Sequence, residues 1–223
     1  MKKTSTFLKG VFGVALLAGA AMPAAADVTV SYSPTLEKYL ESVDRVERQR
    51  EKIFRKFNVD RGGSIVGRSS DILAKNRYKG TEWGNERAIP NIEDFSVTNL
   101  LEAMLERGVK AANPDFDGSV QVHIDRLNVS NHSVSILRAP NTYMEGTVKL
   151  LNADGTVVAE EKIKAIPTRK YTVDRSYDGD DYAYVQSTIT TRVGPVFADF
   201  TEEALEKLFP EYDAPGFILL RNS

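Results

Sequence analysis

The chain has 223 residues, no cysteine, and 29 Lys and Arg against 31 Asp and Glu, a formal charge of −2. Without cysteine there are no disulfides, no thiolate catalysis and no cysteine-based zinc site. The slight acidic excess speaks against a nucleic-acid binder, which needs a basic face to displace the counterions of the phosphates.

Residues 1–26 have the form of a cleavable secretory signal peptide. Met1-Lys2-Lys3 and Lys9 make a basic start with no acid among them. The apolar run Val11 to Ala21 is shorter than the roughly 20 residues a bilayer span needs. Pro23 ends that run, and Ala24 and Ala26 are small enough for a signal peptidase, so cleavage after Ala26 and a periplasmic location are expected. Cleavage removes 26 of the 223 residues and, with Lys2, Lys3 and Lys9, three of the 29 cations. The remaining 197 residues carry 26 cations and 31 anions, a formal charge of −5. A single α+β domain over residues 27–223 is the expected organisation. No segment of it is apolar enough to span a membrane, and no lipid-carrying cysteine is available.

In Asp27 to Ser33 the residues Val28, Val30 and Tyr32 share one face, which predicts a short strand. Ser33-Pro34 reads as the cap and first position of a helix. That helix is predicted from about Thr35 to Phe57, long and amphipathic, with Leu36, Tyr39, Leu40, Val43, Val46, Ile53, Phe54 and Phe57 on one stripe. Arg50 interrupts the stripe. Leu36 to Val46 is expected to pack on the domain and the basic end, Arg48 to Lys56, to project. Residues 58–95 read as irregular or loop-rich, broken by Gly62-Gly63, Gly67, Gly80 and Gly84, with a short strand conceivable at Ile65-Val66.

A second amphipathic helix is predicted over about Ser96 to Ala112, stopped by Asn113-Pro114. Val120, Val122 and Ile124 alternate as a strand, whereas Leu127 and Val129 lie in the opposite phase; a bulge near Asp125-Arg126 reconciles them. Val134 and Ile136 begin another extended piece. Thr142 to Leu151 and Thr156 to Ile166 form a predicted hairpin around Asn152-Ala153-Asp154-Gly155. A tyrosine-rich polar loop follows, then a helix over about Pro195 to Phe209. The expected fold is α+β: an antiparallel sheet of three to five strands, two or three helices on one face, and the long N-terminal helix.

Phe95 to Phe209 resembles the small α+β domains of bacterial envelope accessory proteins, such as auxiliary components of lipid-exporting ABC transport systems. The likeness lies in helix 96–112, the strand Val120-Gln121-Val122-His123-Ile124, the hairpin Glu145-Gly146-Thr147-Val148-Lys149-Leu150 with Asp154-Gly155-Thr156-Val157-Val158, and the closing helix. It covers about half the chain. Members of that group commonly carry a lipoprotein cysteine, which this chain lacks. The resemblance implies an envelope compartment and an accessory rather than a catalytic role.

Several residues are candidates for chemistry or recognition. Gln121, His123 and Asp125 share one strand face, where two ligands and a third from elsewhere would hold a metal. Asp174, Asp178, Asp180 and Asp181 crowd one loop with Gly179, an oxygen-rich setting for calcium, although Val185 stands where an EF-hand places its bidentate Glu. Arg48, Arg50, Lys52, Arg55 and Lys56 make the end of the first helix basic. Such an end suits the helix dipole, which alone accounts for it in most cases; the functional reading is contact with an envelope protein partner or anionic lipid headgroups. Trp83, the one tryptophan, lies among Arg77, Tyr78, Lys79 and Arg87, as a binding anchor or a plug for its loop. No phosphate-binding loop and no G-x-S-x-G elbow is present, and no cofactor is implied. The expected function is a non-enzymatic accessory or binding protein of the periplasm. The alternative is a hydrolase whose carboxylates lie far apart in sequence.

Overall fold

Strand β1, Asp27–Tyr32, alternates as its sequence requires: Val28 is buried, Val30 and Tyr32 pack against the core, and Asp27, Thr29 and Ser31 are exposed. The computed structural model describes residues 27–60, 84–129, 142–166, 184–186, 192–214 and 216–219. Four strands form one sheet in the order β1-β2-β3-β4, with β2 at Ser119–Asn128, β3 at Tyr143–Leu151 and β4 at Val157–Ala165. Strands β2, β3 and β4 are antiparallel neighbours, but β1 runs parallel to β2, with Val28 opposite Val120 and Tyr32 opposite Ile124. The sheet is therefore mixed, not antiparallel as expected. The reason lies in the connection: β1 and β2 are joined through helices, and a crossover of that length returns the chain to the end from which β1 started.

The helices are α1 (Glu37–Asp60), a five-residue α2 (Gly84–Ala88), α3 (Val97–Ala112) and α4 (Gly194–Leu208), with a 3-10 turn at Ile92–Asp94. Segment 58–95, read as irregular, thus contains α2 and this turn; its residues 61–83 lie outside the described residues, as does the strand suggested at Ile65-Val66. Helix α3 begins where Ser96 accepts the Asn99 N–H at 3.0 Å, which satisfies an N-terminal donor that the helix itself leaves open. Its buried stripe, Val97, Leu100, Leu101, Met104, Leu105 and Val109, meets Val196, Phe197, Phe200, Ala204 and Leu205 of α4 in one core. Beneath them lie Val120, Val122 and Ile124 of β2, Met144, Val148 and Leu150 of β3, and Ile163 and Ala165 of β4. Two short strands, β5 (Tyr184–Gln186) and β6 (Phe217–Leu219), pair in parallel as a second sheet.

The bulge in β2 falls between Ile124 and Arg126, where the register against β3 slips. It moves Leu127 and Val129 back to the core side and leaves Asp125 and Arg126 exposed. Gly146 lies opposite Ile124, and a Cβ there would stand 2.5 Å from the His123 carbonyl oxygen. The β3–β4 turn closes with Gly155 at φ 82°, a left-handed conformation that glycine adopts without steric penalty.

Both outer strands are tied to helices by side chains. Val30 donates its N–H to Glu102 of α3 at 3.2 Å. On β4, Lys207 of α4 donates to the Lys162 carbonyl at 2.7 Å, and the Ile166 N–H, just beyond the strand, donates to Asp199 at 2.6 Å. Edge groups held in this way are not open to another strand.

Tyr32 packs its ring into the core and shares a hydrogen bond with Thr98 at 3.1 Å. Burial pushes its hydroxyl from 10.0 up to about 12, with Glu102 and Asp44 adding and the Thr98 bond opposing. The sign follows from the raised folded-state value. The contribution to stability is complete below pH 10 and is lost as pH climbs from 10 towards 12, on the order of 2 kcal/mol in all. Urea titrations between pH 8 and 11.5 should show this alkaline loss, and Tyr32→Phe should flatten it.

Candidate functional site

Helix α1 approaches the body with two different faces along its length. It starts at Glu37 rather than Thr35, because Pro34–Leu36 form a turn and the Ser33 hydroxyl donates to the Asp125 carbonyl at 3.2 Å. Leu36 and Val43 are buried, and Tyr39 and Leu40 pack against the core; the Tyr39 hydroxyl accepts the Val129 N–H at 2.9 Å. Asp44 accepts the Val97 N–H at 2.8 Å, which fixes α1 to the start of α3.

Beyond Val43 the inward stripe changes character. The helical spacing 36, 40, 43, 47, 51 continues inward through Glu47 and Glu51, each 1 % exposed. Val46, expected to pack on the domain, is 39 % exposed, and Ile53, an apolar residue of the end expected to project, is 58 % exposed. Phe54 and Phe57 belong to the described backbone, but their side chains lie outside the described residues.

Each buried glutamate meets an arginine. Glu47 accepts both the backbone N–H and Nε of Arg192, at 2.9 and 2.5 Å. Glu51 accepts Arg55 Nε at 2.9 Å and Asn85 Nδ2 at 3.0 Å. Arg55 donates onward to the carbonyls of Pro90 and Ile89, both at 2.8 Å, and of Asn85 at 3.3 Å. The Tyr184 hydroxyl of β5 donates to Asn85 Oδ1. Four stretches far apart in sequence are thereby joined: α1, α2 with the Ile89-Pro90 link that follows it, β5 and Arg192. Charges taken from water hold only when paired and hydrogen-bonded, and this arrangement meets that condition.

The basic residues singled out in the sequence divide accordingly. Arg55 does not project; its side chain is 11 % exposed within the cluster. Arg48 lies 3.7 Å from Asp44, and Lys52 lies 3.3 Å from Glu93 on the 3-10 turn. Arg50 is half-buried. The side chain of Lys56, together with Trp83, His132, Val134, Ile136 and the loop of Asp174, Asp178, Asp180 and Asp181, lies outside the described residues. Sequence reasoning missed Glu47, Glu51, Asn85, Tyr184 and Arg192 as a group. The only local signal was the period that carries Leu36, Leu40 and Val43 on to two glutamates.

The face of the sheet away from the helices is polar. Across it Ser31, His123, Thr147 and Lys162 stand in one row. Ser31 Oγ lies 3.0 Å from His123 Nδ1 and also within 3.0 Å of the Val122 carbonyl, and His123 Nε2 lies 3.7 Å from Asp125. Gln121 is exposed one row away, and no group of three or more His, Asp or Glu that could hold a metal ion occurs among the described residues. Lys164, 2.7 Å from Glu145, holds that carboxyl below its usual range. At the other edge, burial raises Glu106, and the negative charges of Glu102 and Asp27 add to it while Arg107 opposes.

No helix among the described residues is long and apolar enough to cross a membrane. No protein-family model matches the chain, and no curated protein or solved structure shows significant similarity to it.

Proposed function

We propose that this chain is an exported accessory protein of the bacterial cell envelope that works by binding a protein partner or a lipid-type ligand rather than by catalysis. The signal-like residues 1–26 support the compartment. The observation that carries the non-catalytic reading is the fate of the buried carboxylates. A pair acting on a glycosidic or similar bond must face the substrate across a gap. Glu47 and Glu51 instead face Arg192, Arg55 and Asn85, and fasten α1 to the body. The long amphipathic helix supplies the contact element of this reading.

One observation bears on the hydrolase alternative: burial raises the Glu106 carboxyl, and the negative charges of Glu102 and, less strongly, Asp27 add to it. One experiment covers both readings. The full chain is expressed with its leader in a Gram-negative host, and the osmotic-shock fraction is analysed by intact mass and assayed on glycan and ester substrates. The expected result is a shock-released chain that begins at Asp27 and shows no turnover. A cytoplasmic chain of full mass overturns the compartment. Turnover abolished by Glu106→Gln moves the function to the alternative.

A further inference from the structure

Strand β1 and helix α3 lie side by side as an antiparallel ladder. Tyr32 shares a hydrogen bond with Thr98 at 3.1 Å, and the Val30 N–H donates to Glu102 at 3.2 Å. Two strand residues advance about 6.6 Å and four helix residues about 6 Å, so the two elements keep step. The next step sets Glu106 beside Val28 and the start of the strand. The charge of Asp27 reaches Glu106, as this step requires. The neighbourhood is acidic: Glu102 and Asp27 act on Glu106 with like charge, and Arg107 opposes them. Lys110 follows one turn further along α3, and β2 sets the uncharged Ser119 opposite Asp27. Among the described residues Glu106 itself makes no hydrogen bond or ion pair.

The first residue of β1 is also the first residue expected once the leader is cut after Ala26. With the leader attached, the Asp27 nitrogen is a neutral amide. Once it is cut, the same nitrogen is an ammonium, charged below its ordinary pKa of about 7.7–8.0. We infer that this α-ammonium is the counter-charge of Glu106, so that removal of the leader itself fastens the start of β1 to α3. The inference rests on the leader reading above and adds to it a consequence for the fold. The gain falls on a strand that needs it, since β1 is an outer strand whose neighbour β2 comes only after α1, α2 and α3. A metal ion fits this place less well: Glu102 is committed to the Val30 N–H, and no group of three or more acids or histidines that could hold one occurs among the described residues.

The test compares chains that differ only at this end. One begins at Asp27, released from a fusion by a protease that leaves no residue behind, and the other keeps Gly-Ser-Gly-Ser before Asp27. Each is also made with Glu106→Gln. At about pH 6.5 and low salt the free terminus should raise the thermal midpoint by about 1–3 °C, the range of a partly exposed ion pair in a chain of this size. An ammonium that gains a partner has a raised pKa, so the difference is complete below about pH 7.7 and is lost as pH climbs towards about 10. With Glu106→Gln the difference should vanish. In the extended chain that substitution should cost nothing, because it removes a like charge from beside Glu102. Three outcomes overturn the inference: equal midpoints for the two ends, a difference that persists with Glu106→Gln, or one that is unchanged at about pH 10. Both chains are made without export, so these results do not depend on the leader reading. A shock-released chain whose intact mass places its first residue elsewhere than Asp27 overturns the leader reading instead, and with it this pairing.

Discussion

Arg192→Ala is expected to destabilise the chain by about 3–5 kcal/mol, the cost of leaving a buried carboxylate without its partner. Glu47 is 1 % exposed and takes both a backbone and a side-chain donor from Arg192. The backbone bond survives the substitution, while the guanidinium is lost. Urea unfolding measures the loss, and the order of effects identifies its cause. Glu47→Gln with Arg192 intact leaves a buried cation and should also be costly. The pair Glu47→Leu with Arg192→Met removes both charges and should recover most of the loss, because well-packed apolar residues commonly replace a buried ion pair without net cost. Three equal losses would mean that packing, not charge, holds this junction.

Gly146→Ala should be the second large effect, about 2–3 kcal/mol, as for other insertions into packed interiors. The added Cβ would stand 2.5 Å from the His123 carbonyl oxygen and 3.0 Å from Ile124 Cδ1. The nearest atom is backbone held in the β2–β3 ladder, so relief requires a strand to move. Gly155→Ala makes the contrast. There nothing lies within 4 Å, and the cost comes only from its φ of 82°, about 1–2 kcal/mol. Thermal midpoints of the two variants give the comparison; a larger loss at Gly155 would show that the turn, not the bulge, limits the sheet.

The parts of this fold that sequence carries are those whose cause is local. The phase change between Ile124 and Leu127 announces the bulge, Asn152 to Gly155 announces the turn, and Ser96 marks the start of α3. The direction of β1 was not legible, because alternation of side chains is the same whether a strand runs parallel or antiparallel to its neighbour. The inner face of α1 was not legible for a different reason. Counting apolar residues puts Val46 inside, and Arg192 and Asn85, which hold Glu47 and Glu51 inward instead, lie 145 and 34 residues further on. The Arg192 charge leaves no mark in a helical window, and although Arg55 stands only four residues from Glu51, the carbonyls that hold it inward lie 30 and 34 residues away from it. Arg55 follows the same rule: among neighbours in sequence it belongs to a basic run, and in space it is a bracket for the carbonyls of Ile89 and Pro90.

The parallel pairing of β1 with β2 also sets a timetable. Ser31 finds His123 only 92 residues later in the chain. At about 5–20 residues per second of synthesis, the first strand waits several seconds before its neighbour exists. Strands β2, β3 and β4 are neighbours in sequence as well as in the sheet, so they can zip together early, and β1 closes the sheet by a long-range step that slows folding. Until β2 exists, Val28, Val30 and Tyr32 lack the strand beside which they are covered in the fold.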